Sequence, residues 1–247
     1  MKKMRKLLLM FVIAFAIVAG LSATTGVGAQ TVKAETAKKA AGKLMKAIKT
    51  CNDNSLGNFV TFTNGGLYGN LKQSSPSYYA WVKKNNKRMT YKIKKVTQKN
   101  GMADVKVQVK CAESKELMKN VADEFDSLCT AMVNNPSSIS GTSADDIYKK
   151  AIAKTKTPKM KKVTLTLHMV QYGGKWVLTN ATTSDKKFTN IISCNAADSA
   201  EVLKKGMQDA LNKMVTNLAK KTGYSEEYIR QMLGTSLSQL EQKLANL

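Results

Sequence analysis

Histidine occurs once in the 247 residues, as His168, and arginine three times, as Arg5, Arg88 and Arg230. One histidine and four cysteines with no C-x-x-C pair leave no zinc-ligand set at the usual spacing. There is no glycine-rich phosphate loop and no acidic cluster suited to a metal, so the sequence implies no cofactor. No spacing around His168 supports a Ser-His-Asp or Cys-His arrangement, which geometry alone defines. The scarcity of arginine argues against nucleic acid as a partner, because bidentate readout of phosphates and base edges is arginine chemistry. Aromatic platforms interleaved with the basic residues are missing too, apart from Tyr91. Acids are few, at 17 Asp plus Glu, and residues 36–103 contain just one, Asp53.

Long apolar runs are also scarce, and the one present is at the N-terminus. Lys2, Lys3, Arg5 and Lys6 precede an uninterrupted apolar run from Leu7 to Ala19, 13 residues long. Small and polar residues then lead to two A-x-A-like cleavage options, after Ala29 or after Ala34. This is the layout of a secretory signal peptide, and the run is shorter than the about 20 residues that span a bilayer. Residues 1–34 are expected to be a leader, with an uncleaved anchor as the other reading. The expected location is secreted, or the extracellular face of the cell envelope.

What the chain has in excess is lysine. Lys plus Arg total 40, for a net charge of +23, and removing residues 1–34 leaves +18 on 213 residues. Residues 36–103 carry 14 basic side chains against Asp53, whereas residues 196–247 carry seven against six acids. A field of this sign attracts polyanions within about 8–10 Å of the surface. For an exported chain, anionic cell-wall polymers or a membrane surface are the expected partners; a solvated basic surface with no dedicated partner is the plainer reading. Cys51, Cys111, Cys129 and Cys194 all follow the leader, and two disulfides, one disulfide or four buried thiols are each compatible with their wide spacing.

Ala37, Ala41, Leu44, Ile48 and Cys51 recur at helical spacing and predict a helix over 35–51. Loops are expected near 52–55 and 64–66, and a second short helix from Ser74–Pro76 onward. Met89, Tyr91 and Ile93 alternate with polar residues, Asn100-Gly101 makes a turn, and Ala103, Val105, Val107, Val109 and Cys111 alternate in return, which predicts an antiparallel hairpin with one wet face. Leu117, Val121, Phe125, Leu128 and Met132 mark a helix that stops at 134–136, and Ser143 with Asp146 opens another. Val163, Leu165, Leu167 and Met169 then alternate up to Gly173-Gly174, and Lys175–Asn180 return as a second hairpin. A stripe of Leu203, Met207, Ala210, Met214 and Leu218, a stop at Gly223, a cap at Ser225 and a second stripe from Ile229 to Leu247 predict a C-terminal helical hairpin. The fold class is α+β, with an antiparallel sheet, a helical insert between two hairpins, and helices at both ends.

Two phrases, MTYKIKKVTQKNGMADVKVQVKC and KKVTLTLHMVQYGGKWVLTNA, resemble secreted and lipoprotein domains of unknown function with an NTF2-like (cystatin-like) fold. The matching residues are Tyr91, Ile93, Val96, Asn100, Gly101, Ala103, Val105, Val107, Gly174, Lys175 and Trp176, within residues 36–192. The resemblance implies a curved sheet closed by helices, with an NTF2-like domain over 35–195 and a C-terminal helical extension over 196–247. It implies no assigned activity, because that fold hosts isomerases, dehydratases and binding modules alike. Many relatives carry a lipid-anchoring cysteine after the apolar run, which this chain lacks.

On this reading Tyr91, Ile93, Val107, Leu165, Leu167 and Trp176 are the candidate lining of a concave pocket. Of these, Tyr91 and Trp176 bring polar atoms, and Asp104 alternates to the outer face. An acid–base site needs convergent ionisable groups in a dry cavity, and the pattern does not supply them. Lys92, Lys94, Lys106 and Lys110 on the wet face are the candidate contacts to an anionic surface. The expected function is a non-catalytic binding or accessory module at the bacterial cell envelope; a small-molecule enzyme or ligand carrier using the concave pocket is the alternative. The leucine-rich C-terminal stripe is a candidate surface for a protein partner.

Overall fold

The structure, a computed structural model, describes residues 23–24, 35–62, 66–135 and 141–245. The leader therefore lies outside the described residues apart from Ala23–Thr24, as do part of the expected 64–66 loop, Pro136 and Leu247. The short strand β1 (Ala23–Thr24) pairs antiparallel with β2 (Thr61–Phe62). No helix among the described residues is long and apolar enough to cross a membrane.

The main sheet holds β3 (Thr90–Lys99), β4 (Met102–Ala112), β5 (Met160–Tyr172) and β6 (Lys175–Leu178), antiparallel and in that order. Asn100 and Gly101 both take positive φ, 50° and 72°, as the two-residue turn that matches strand twist requires. Gly173 and Gly174 do the same for the second hairpin. Between the hairpins run α5 (Lys115–Asn134) and α6 (Ala144–Lys154). The chain is thus an α+β fold with an open four-stranded antiparallel sheet and a helical insert.

Period-two alternation sorts β4 and β5 into two faces. Ala103, Val105, Val107 and Val109 face Met169, Leu167, Leu165 and Val163 across the ladder, and all eight are buried. A side chain of this size removed from water contributes about 1.5–3 kcal/mol, so this row fixes the register. A bulge between Ile93 and Lys95 returns β3 to phase, so that Val96 joins Tyr91 and Ile93 on the inner side.

Helix α1 (Ala37–Thr50) closes that inner side, with Thr36 accepting from the Lys39 amide. Residues 52–55, expected as a loop, start a one-turn helix, α2 (Asp53–Leu56), because the Asn52 side chain caps it. Two further helices follow, α3 (Leu67–Ser74) and α4 (Pro76–Asn86), and neither N-cap residue supplies a capping side chain. Distant carboxylates do so instead. Asp53 accepts from the amides of Tyr68 (3.0 Å) and Gly69 (2.6 Å). Asp145 accepts from the Ser77 amide (2.8 Å) and from both serine hydroxyls, Ser75 and Ser77. Gly66 is required beside Asp53: its φ is +98°, and a Cβ there would meet the Asp53 carboxyl carbon at 2.8 Å.

After β6 come α7 (Asn180–Thr183) and α8 (Lys186–Ile192), both missed by periodicity because they span so few residues. Helix α9 (Ala196–Thr222) buries the expected stripe, and Gly223 ends it in the left-handed region. The second arm departs from the expected single helix. Gly234, at φ 59° and ψ −143°, divides it into α10 (Glu226–Leu233) and α11 (Thr235–Ala245). Ile229, Leu233, Leu237, Leu240 and Leu244 are nevertheless buried, in one core continuous with the sheet.

Helices α9 and α5 touch at a point where only small residues fit. A Cβ added to Gly206 would lie 2.5 Å from the Cβ of Ala122. Gly206→Ala should therefore destabilise by about 1–3 kcal/mol through overpacking, against the gain of about 1 kcal/mol that alanine brings inside a helix. Urea unfolding checks this: a lower midpoint is expected, partly recovered when Ala122→Gly is added.

Candidate functional site

Among the described residues, the sheet's lysines gather on its outer face, opposite the buried apolar row. Lys106 and Lys110 alternate outward from β4, opposite to the buried valines. Lys92 is exposed on β3, and Lys94 is exposed within the bulge. The register adds two residues that alternation from the first hairpin does not reveal. Lys95 stands directly opposite Lys106, and Lys162 of β5 stands directly opposite Lys110. Continuing the β5 alternation outward from Val163 would have found Lys162; Lys95 needs the bulge, which leaves no mark in composition.

Those two pairs set like charges face to face across neighbouring strands, an arrangement that is itself destabilising. Between the lysines lie Thr90, Gln108, Thr164 and Thr166, uncharged and hydrogen-bonding. The four strands contain a single carboxylate, Asp104, which is 2.8 Å from Nδ1 of its cross-strand partner His168. His168 and Asp104 form a surface pair, at 43% and 60% side-chain exposure. They leave the six lysines uncompensated by any strand carboxylate.

The residues expected to line a concave pocket are placed differently from one another. Val107, Leu165 and Leu167 are packed core side chains. Ile93 is half-buried against the core, and Tyr91 is more than one-third exposed, its hydroxyl donating to the Gly42 carbonyl at 3.2 Å. Trp176 is buried, and its indole N–H donates to the Glu35 carbonyl at 2.6 Å. Trp176 lines a cleft that lies beside α1 rather than between the core valines.

All four cysteines are buried thiols. Burial pushes each of them up from the usual thiol range, Cys129 and Cys194 furthest, so they are poor nucleophiles. Cys51 and Cys194 are bridged by one buried amide: Asn86 Nδ2 lies 3.5 Å from the Cys51 sulfur, and Asn86 Oδ1 accepts from the Cys194 thiol at 3.2 Å. The same Nδ2 reaches the Ile192 carbonyl and the Tyr68 hydroxyl, both at 3.3 Å. Asn195 likewise donates to the Ala112 carbonyl (2.6 Å) and to the Cys111 sulfur. These amides satisfy helix and strand ends inside the core, a structural task.

Carboxylates elsewhere are similarly occupied. Glu124 pairs with Lys154, Asp126 with Lys213, and Glu241 with Arg230. Among the described residues there is no group of three or more metal-ligating side chains. A scan against protein-family models, a search of curated proteins and a search of solved structures each find no match.

Two of the carboxylates make stability depend on pH. The bond from Lys161 (2.8 Å) holds the Asp198 carboxyl below its ordinary range, aided by Asn190. The Ser143 amide and hydroxyl do the same for Asp146. A folded value below the unfolded one gives stability that is fully present above the unfolded range, about pH 4, and lost as pH falls through the folded value. Asp198→Asn should lower the urea midpoint near neutrality and have a shallower acid decline than the parent chain. Parallel declines would contradict the assignment.

Proposed function

We propose that this chain is an exported, non-catalytic binding module at the cell envelope, which uses the outer face of an NTF2-like sheet to hold an extended anionic polymer. The leader-like residues 1–34 support the location. The observation that carries the activity is the opposed lysine pairs Lys95/Lys106 and Lys110/Lys162.

Edge protection accounts for lysines on β3, since an exposed strand edge invites pairing with other chains. It does not account for Lys106 and Lys110, because β4 is paired on both sides. Like charges opposite one another cost a few tenths of a kcal/mol or more, and a polyanion laid across them reverses the sign. A rise of about 3.4 Å per residue places Lys106 and Lys110 roughly 14 Å apart along β4. An extended polyanion spans that distance and can engage both lysines at once. Threonine and glutamine between the lysines supply neutral hydrogen bonds along the same track.

Inorganic polyphosphate titrated at several salt concentrations tests this reading. Lys106→Glu with Lys110→Glu should weaken binding at least about tenfold and flatten the salt dependence, while Lys38→Glu with Lys39→Glu on the exposed side of α1 should do little. The free double variant on β4 should also be more stable than the parent chain by a few tenths of a kcal/mol. Equal loss from both pairs of substitutions would show that only net charge matters.

A further inference from the structure

A cleft of about 590 Å³ lies between the C-terminal half of α1, the segment Asn52–Phe59 and the β5–β6 turn. It is separate from the outer sheet face. We infer that this cleft is a binding site for a small hydroxylated ring carrying one anionic group, a sugar acid or sugar phosphate.

Its charge is the first reason. Three lysines reach it: Lys43, Lys46 and Lys175. Lys43 is neutralised by Glu35 at 2.9 Å. Lys46 and Lys175 come from different elements, the helix and the turn, and neither is in an ion pair among the described residues. The carboxylate in the lining, Glu35, is engaged by Lys43, so Lys46 and Lys175 leave the cleft net positive and favour an anion there.

The neutral groups are the second reason, because they match hydroxyls rather than a bare ion. Asn52 Oδ1 is used by the Ser55 amide at 2.9 Å, which leaves its Nδ2 to donate. Asn58 Nδ2 lies 3.4 Å from the carbonyls of Asn54 and Ser55, which leaves its Oδ1 to accept. The Ser55 hydroxyl can do either. Ala47, Phe59 and Trp176 supply an apolar wall for the carbon face of a ring. A few placed polar groups on an apolar wall are what fixes a small ligand's orientation. The wall is held rigidly: the Trp176 indole is tied to the Glu35 carbonyl, and the Phe59 carbonyl accepts from the Leu178 amide at 2.9 Å.

Isothermal titration of the full chain tests the site with galacturonate, glucose 6-phosphate, glucose and inorganic phosphate. Saturable binding of either anionic sugar, at least about tenfold tighter than glucose or phosphate, is expected. Lys46→Ala or Lys175→Ala should each weaken it about tenfold, the loss of one charged hydrogen bond, and Asn58→Asp should weaken it by repulsion. Lys106→Glu should leave it unchanged, which separates this site from the polymer-binding face. No saturation by about 10 mM, phosphate binding as tightly as the sugars, or indifference to Lys46→Ala and Lys175→Ala would each overturn the inference.

Discussion

Among the described residues, the buried apolar row of the β4–β5 ladder lies on one face, and the remaining structure follows from that constraint. The buried row of Val105, Val107, Val109, Leu165 and Leu167 pins the register. Because side chains alternate strictly, pinning the apolar row inward also pins Lys106, Lys110 and Lys162 outward. The helices α1, α4 and α8 pack on the strands and complete the core. The lysine face is thus a direct consequence of the core's registration, and any slip by one residue would bury the lysines.

Asp53 and Asp145 are used to close structure. Asp53, the sole acid of residues 36–103, caps α3 from fifteen residues away in sequence. Asp145 joins α6 to the start of α4. Buried carboxamides do corresponding work at helix C-termini, where Asn86 ties α4 to the ends of α1 and α8. Each of these groups serves backbone or hydroxyl partners that would otherwise be costly to bury. With carboxylates committed in this way, the positive field over β3–β5 has few local counter-charges.

Much of this architecture was legible in the residues. Alternation located both hairpins, and the left-handed demands of Asn100-Gly101 and Gly173-Gly174 located their turns. Ser143 with Asp146 marked a capping box that the structure contains. The unread parts share physical causes. Helices α2, α3, α7 and α8 are one or two turns long, too short for a stripe, and α3 takes its cap from a distant chain segment. The break at Gly234 interrupts a leucine stripe without changing its spacing. At the site, Lys106 and Lys110 were readable from alternation, whereas the facing pairs with Lys95 and Lys162 depend on inter-strand register. Of the cleft, Trp176 was read as a pocket residue, and the rest was not legible because its walls come from segments more than one hundred residues apart.

Lysine acetylation with and without polyphosphate, read residue by residue by mass spectrometry, tests the central claim most directly. The account predicts that Lys92, Lys95, Lys106, Lys110 and Lys162 are protected together while Lys38, Lys39 and Lys205 keep their rates. Protection spread evenly over all exposed lysines, or none on the sheet face, would contradict it.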